Sequence, residues 1–131
     1  MKTRKGTGAG LEVIGRLKEI PVIRKTNNDK LVANIVLAVD EIQKNDAGQS
    51  EEYTEWLSVV VWGNAAQFIQ DYARPGLRLR LTAKVKTEKE EVTDADGKKY
   101  VYSIPKFHTG DVEAMDSIEK NESNAEIEKQ Q

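Results

Sequence analysis

Two tryptophans, Trp56 and Trp62, share one face of a predicted strand whose side chains alternate between an apolar face and a mixed face. The apolar face is the natural core face, so both indoles are expected on the outside of the fold. Six residues at about 3.3 Å each separate them by roughly 20 Å. Indole rings stack on any nucleobase, which contributes about 1–3 kcal/mol per base. The spacing suits two stacking platforms for a strand of bases, with packing under a loop or in a subunit interface as the alternative.

A row of basic side chains follows on a second predicted strand, residues 77–89, in which alternation is strict. The row consists of Arg78, Arg80, Lys84 and Lys86. Such a row can follow a phosphate backbone and makes binding sensitive to salt, because bound counterions are released. An ordinary solvated face is the alternative for this strand alone. Basic groups beside exposed aromatic rings together indicate binding of single-stranded nucleic acid.

The other polar groups do not form a catalytic or metal-binding set. Residues 6–10 are rich in glycine but lack the preceding strand and the Lys-Ser/Thr pair of a phosphate loop. Residues 94–97 resemble a calcium loop without its later glutamate, so a hairpin turn is expected. His108 is the only histidine and cysteine is absent, which excludes a zinc site or a Ser-His-Asp set. The sequence therefore predicts a binding protein that is not an enzyme and uses no cofactor or metal.

The elements that position these residues follow the order strand, strand, strand, helix, strand, strand. The strands are expected over residues 11–20, 30–40, 53–62, 77–89 and 98–108, and the helix over 65–73, where apolar residues recur at helical spacing. Several bent strands with one helix predict an all-β fold with one helix. We interpret it as an OB-fold, a five-stranded Greek-key barrel with the helix between strands 3 and 4.

Composition divides the chain into an arm, a domain and a tail. We expect a flexible N-terminal arm over residues 1–10, the OB-fold single-stranded DNA-binding domain over 11–111 and a disordered acidic tail over 112–131. The 20 basic and 22 acidic residues nearly balance, but seven of the acids lie in residues 111–131, so the remainder is mildly basic. No apolar run approaches the roughly 20 residues of a membrane span. A soluble, cytoplasmic, nucleoid-associated protein without membrane contact is expected.

Six short motifs occur in a specific order along the chain. They lie at residues 15–17, 21–24, 32–38, 54–63, 71–76 and 96–100. In this order they resemble the bacterial single-stranded DNA-binding protein family, over residues 11–112. The resemblance implies an OB-fold that binds single-stranded DNA without catalysis or sequence preference, assembled as a homotetramer with DNA wrapped around the outside. The residues themselves do not decide between a dimer and a tetramer, or between DNA and RNA as the ligand.

The resemblance also assigns roles to individual residues. By motif it implies that Trp56 and Trp62 stack on bases and that four basic residues approach the DNA backbone: Arg24, Arg74, Lys86 and Lys89. Strand geometry adds five further candidates for nucleic-acid binding: Arg16, Arg78, Arg80, Lys84 and Tyr100.

Three departures from the family pattern point to a specialised member. Gln43 replaces a tryptophan that the family often has, an acidic run over residues 88–91 replaces another, and the tail lacks the family's apolar tip. We therefore expect weaker binding or a smaller site than in a housekeeping member, and an accessory, plasmid or phage type of protein. Recruitment of replication or repair proteins through the tail is not expected. A primosome-type OB protein that mainly bridges replication partners is the alternative function.

Overall fold

Five long strands close into a barrel in this computed structural model, which describes residues 10–121. In chain order the elements are β1 (Gly10–Leu17), β2 (Ile23–Lys25), β3 (Leu31–Lys44), β4 (Ser50–Trp62), α1 (Asn64–Tyr72), β5 (Arg78–Thr93), β6 (Lys99–Thr109) and β7 (Val112–Ala114). The long strands are hydrogen-bonded in the order β1-β3-β4-β6-β5, and β5 pairs again with β1. All pairs are antiparallel except β4 with β6, which is parallel. The predicted OB-fold is confirmed, with the helix between the third and fourth barrel strands.

The core lies inside the barrel because alternate residues of β1, β3, β4 and β5 are apolar. Val13, Ile35, Val59 and Leu79 each come from a different strand and are all buried. Ile69 of α1 is also completely buried against this cluster, so the helix covers one end of the barrel. The complementary positions of each strand point outward, and they form what is called the outer face below. Both tryptophans and the predicted row of basic residues belong to it.

Gly15 lies where β1 passes from one partner strand to the other. It pairs with Leu79 of β5, and the next residue, Arg16, pairs with both β5 and β3. A Cβ atom at Gly15 would lie 2.9 Å from the carbonyl oxygen of Ala38 and 3.1 Å from Cβ of Leu37. At this glycine the backbone of β3 therefore comes so close to β1 that no room is left for a side chain.

Gly15→Ala is expected to lower the free energy of unfolding by about 1–3 kcal/mol, because the added methyl group overpacks the strand crossing. Urea denaturation followed by far-ultraviolet circular dichroism measures the change. Gly10→Ala in the same strand is the matched control, since its Cβ would find its nearest neighbour at 3.6 Å, an ordinary contact. Equal stability of the two variants would contradict the steric argument.

Two hairpins are longer than the sequence pattern predicts. The connection between the strands expected over 30–40 and 53–62 is reduced to the turn 45–49, and the fourth long strand runs to Thr93 rather than to residue 89. The side chain of Asn45 closes the first turn by accepting hydrogen bonds from the backbone N–H groups of Ala47 and Gln49. Both extensions project beyond the core, so neither of their faces is apolar and alternation gives no signal there.

The start of the expected disordered tail is ordered. Residues 112–114 form β7, which pairs with Leu79–Leu81 of β5, and Asn121 donates its backbone N–H to the carbonyl oxygen of Asp71 in α1. The structure thus differs from the sequence-based expectation over residues 112–121. The expected arm, apart from Gly10 in β1, and the remainder of the expected tail lie outside the described residues.

Candidate nucleic-acid interface

Trp56 is the more accessible of the two indoles and lies at one end of a row that crosses three strands. It pairs with Ala38 of β3, and Ala38 pairs with Arg16 of β1, so all three point outward together. Its side chain is 59% exposed, and Nζ of Lys18 lies 5.5 Å from the ring centroid. A cation at this distance interacts with the π-system and places positive charge at the rim of the exposed ring. The geometry suits stacking of a base with its phosphate nearby.

Trp62 has a different environment from Trp56, although both lie on the outer face of β4. It is half-buried, and its indole N–H donates a hydrogen bond of 2.9 Å to Nδ1 of His108 on β6. The planes of the two rings differ by 16°. Its row runs through Val32 on β3 to Arg24 on β2. The predicted site residue Trp62 is therefore a fixed ring with a protein partner, whereas Trp56 is an open one.

A groove of about 410 Å³ lies alongside β3 between the Trp56 row and the Trp62 row. Its lining includes Arg24, the amide of Asn34 and the apolar side chain of Val36. Asn34 and Val36 point outward at the two positions between the rows. Arg24, predicted to approach the DNA backbone, is thus placed in the Trp62 row and on the lining of a concave surface.

Three lysines cluster where β5 pairs with β6. Lys84 pairs with His108, and Lys86 pairs with Lys106, so all these side chains lie on the outer face. The sequence reasoning identified Lys84 and Lys86 but missed Lys106 and the structural role of His108. The available signal was the geometry of a strand, which places every second residue, here Tyr100, Tyr102, Ile104, Lys106 and His108, on one face. The cluster of Lys84, Lys86 and Lys106, called the lysine cluster below, concentrates positive charge beside Trp62.

Two tyrosines continue this surface along the β5–β6 hairpin. Because the register is unbroken, Tyr100 and Tyr102 lie on the same face of the hairpin as Lys106. Their ring centroids are 6.4 Å apart with planes 28° apart, and both rings are exposed. Tyr100 was predicted and Tyr102 was not. Glu88 and Glu90 face the same way from β5, so the aromatic surface of the hairpin is bordered by acidic groups.

Five other predicted site residues either point to another face or are already engaged by groups of the protein. Lys89 pairs with Ser103 and so points to the opposite face of the hairpin from Lys86. Four arginines already contact a carboxylate or a backbone carbonyl oxygen of the protein. Arg16 lies 3.7 Å from Asp40, Arg78 lies 3.0 Å from Asp116, Arg80 lies 3.3 Å from Glu12, and Arg74 donates a hydrogen bond of 3.0 Å to the carbonyl oxygen of Ser117. Arg78 and Arg74 are thus both engaged by the ordered start of the tail.

The Arg78–Asp116 contact has a pH signature. The pKa of Asp116 lies below its ordinary value, chiefly because the backbone N–H of Arg78 donates to the carboxylate, with further contributions from the guanidinium groups of Arg78 and Arg74. A carboxylate whose folded-state pKa is lowered contributes stability above its unfolded pKa, and this stability is lost as the pH falls through the folded pKa.

Asp116→Asn is therefore expected to lower the thermal midpoint modestly at pH 7, with the difference from wild type shrinking as the pH falls below the ordinary aspartate pKa of 3.8. Differential scanning calorimetry across this range makes the comparison. Asp46→Asn, in the exposed β3–β4 turn, is the control substitution of the same chemistry. A difference that persisted unchanged at low pH would show that charge at Asp116 is not its origin.

Within residues 10–121, no group of three or more His, Cys, Asp or Glu side chains is arranged to hold a metal ion. In the same part of the chain, no helix is long and apolar enough to cross a membrane.

Comparison with known proteins gives a consistent result. Residues 10–108 match the model of the single-strand binding protein family. The chain is 39% identical over 84 residues to single-stranded DNA-binding protein 1 of Streptococcus pyogenes serotype M6, which covers 64% of this chain and 60% of the relative. It is 30% identical over 92 residues to single-stranded DNA-binding protein 1 of Chlorobaculum tepidum, covering 70% of this chain and 57% of the relative. The chain thus spans about three fifths of the length of these relatives.

Solved structures share the fold. A Plasmodium falciparum SSB in complex with single-stranded DNA superposes with a TM-score of 0.70 at 23% identity, covering 88% of this chain and all of that one. A deletion mutant of the single-stranded DNA-binding protein from Thermus aquaticus gives a TM-score of 0.66 at 18% identity, covering 82% of this chain and 50% of that one.

Proposed function

Because the chain belongs to the single-strand binding protein family, we propose that it binds and protects single-stranded DNA, without sequence preference, during replication, repair or DNA transfer. The observation that carries the proposal is the exposed indole of Trp56 on the outer face, with Lys18 at its rim and the groove lined by Arg24 between the two tryptophan rows. A large aromatic ring on a soluble barrel is costly to leave in water unless a ligand covers it.

Binding combines two interactions that do not depend on base identity. Bases stack on the indole of Trp56 and on the ring of Trp62, and phosphates contact Arg24 and the lysine cluster. Each basic contact releases counterions, which makes the affinity fall as salt rises. The arginines already engaged by carboxylates or by the tail contribute less, because a phosphate must compete with an existing partner.

Such a protein needs no reaction chemistry, and we infer that it is not an enzyme and acts in the cytoplasm. We also infer assembly into a homo-oligomer, a tetramer or a dimer. Ile14 of β1 is apolar and 46% exposed, which suits an interface between copies. Sedimentation equilibrium tests this: a monomer at micromolar concentration would contradict it.

Titration of intrinsic tryptophan fluorescence with oligo(dT), at low and high salt, tests the proposed function. Strong quenching that weakens as salt rises is expected, with oligonucleotides of other base compositions behaving similarly. Double-stranded DNA of the same length is the control ligand and is expected to quench little, because its bases are already stacked. Neither quenching nor binding at low salt would overturn the proposal and favour a protein that bridges replication partners.

A further inference from the structure

Trp62 and His108 form a joined pair of rings on the outer face. The indole N–H of Trp62 lies in the plane of its ring and donates to Nδ1 of His108 at 2.9 Å, which connects the two rings edge to edge. The ring planes differ by only 16° and the centroids are 6.1 Å apart. The pair is therefore better described as one nearly flat surface than as two rings stacked face to face. The orientation of the indole depends on its partner.

The hydrogen bond requires a particular protonation state of His108. A neutral imidazole has one donor and one acceptor nitrogen, so acceptance at Nδ1 places the proton on Nε2. Nε2 is buried and makes no hydrogen bond within residues 10–121, although Oε1 of Glu88 lies 4.0 Å away. A protonated imidazole has two donors and no acceptor. Protonation would therefore turn Nδ1–H toward the indole N–H and remove the bond to Trp62.

The surroundings of His108 keep the ring neutral at ordinary pH. From β5 it faces Lys84, Lys86 and Glu88, from its own strand Lys106, and from β4 the uncharged Trp62 and Val60. Burial is the main reason that the pKa of His108 lies below its ordinary value, followed by the charge of Lys86, while Glu88 opposes the shift. Because its pKa is lowered, His108 is still neutral, and still accepts the hydrogen bond, at a pH at which an ordinary histidine takes up a proton. It is protonated only at lower pH.

We propose that His108 is a proton-sensitive positioning residue that holds the indole of Trp62 in the orientation in which it stacks on a base. This proposal rests on the proposed function, since it concerns one ring of the same binding face. Protonation of His108 releases the indole, so the contribution of Trp62 to binding declines at acidic pH. The sensitivity is local to Trp62, because Trp56 contacts Lys18 and not a titrating imidazole.

The first test observes Trp62 without DNA. In the full chain carrying Trp56→Phe, Trp62 is the only tryptophan, so its fluorescence and its indole N–H resonance report on one site. Both signals are expected to shift as the pH falls from 8 to 5. His108→Asn places an amide oxygen near the position of Nδ1 and does not titrate, so it should retain the high-pH signal throughout. His108→Leu has no acceptor and should give the released signal at every pH.

The second test measures affinity for oligo(dT) at about 1 M salt, where the Debye length of about 3 Å screens the charge that protonation adds. In the same Trp56→Phe background, the affinity is expected to fall about two- to tenfold from pH 8 to pH 5, the effect of one lost hydrogen bond. His108→Asn should bind nearly as well as the parent at pH 8 and lose this pH dependence. His108→Leu should bind weakly at both pH values.

The outcomes separate this proposal from the proposed function. If the wild-type chain does not bind oligo(dT) at low salt and pH 8, the proposed function fails, while the DNA-free signals still decide whether His108 holds Trp62. If His108→Leu binds as tightly as the parent, or His108→Asn shows the same pH dependence, the positioning role is overturned. A thermal unfolding midpoint for each variant confirms that the compared proteins are folded.

Discussion

Trp56→Ala is expected to weaken binding of oligo(dT) by about 1–3 kcal/mol, or roughly five- to 150-fold, because it removes one base-stacking platform. The ring is 59% exposed, so its removal leaves the barrel core intact and the loss belongs to the ligand. Trp56→Phe should retain part of the affinity, since a smaller ring still stacks. Fluorescence anisotropy of labelled oligo(dT) measures all three proteins at one salt concentration.

Tyr53→Ala is the matched control for this prediction. Tyr53 lies on the same strand as Trp56 and is 43% exposed, but it pairs with Glu41 and points to the opposite face of β4. Its hydroxyl is engaged by the carboxylate of Glu51. A small effect of Tyr53→Ala beside a large effect of Trp56→Ala would assign the loss to one face of the strand. Equal losses would contradict a binding surface confined to the outer face.

The order of the elements predicted the barrel, and alternation predicted the side on which most strand residues lie. In β4 and β5, Val59, Val61, Leu79 and Leu81 are buried and the intervening residues point outward, whereas Val85, in the same alternation, is exposed. This works because strand periodicity is a local property of the chain. The placement of Trp56, Lys84 and Lys86 on the outer face could be inferred in the same way.

Partners that are distant in sequence could not be predicted. His108, which accepts the hydrogen bond that fixes Trp62, lies 46 residues away. The contact exists because β4 and β6 pair in parallel at that point. Arg78 likewise meets Asp116, 38 residues away, only because β7 extends the sheet beyond the family motifs. No local pattern states which strand lies beside which, so these environments required the structure.

Lys89 shows a further limit of assigning DNA contacts from a family motif. It stands three residues after Lys86, and an odd separation along a strand places two side chains on opposite faces. The family motif suggested both as backbone contacts, whereas geometry favours Lys86 with Lys106. Lysines on the two faces of this hairpin can be substituted separately, which tests which face contacts DNA.

The double substitution Lys86→Gln/Lys106→Gln is expected to reduce the salt dependence of binding. Each phosphate contact on single-stranded DNA contributes about 0.7 to the slope of log affinity against log salt, so losing two contacts should make the slope shallower by about 1.4. If affinity at 1 M salt is unchanged, this corresponds to roughly 25-fold weaker binding at 0.1 M. Titrations of oligo(dT) at five or more salt concentrations, about 0.05–1 M, give the slope directly.

Lys89→Gln/Lys99→Gln makes the same change of charge on the other face of the same two strands. Lys89 pairs with Ser103, and Lys99 pairs with Thr93 and lies 3.4 Å from Glu91. General loss of positive charge would weaken both double variants alike, because long-range attraction depends on the total. Specific phosphate contacts on the outer face would instead change the slope in the first variant and leave it nearly unchanged in the second. An equal change of slope in both would mean that DNA follows both faces of the hairpin, and the binding surface would then have to include Lys89.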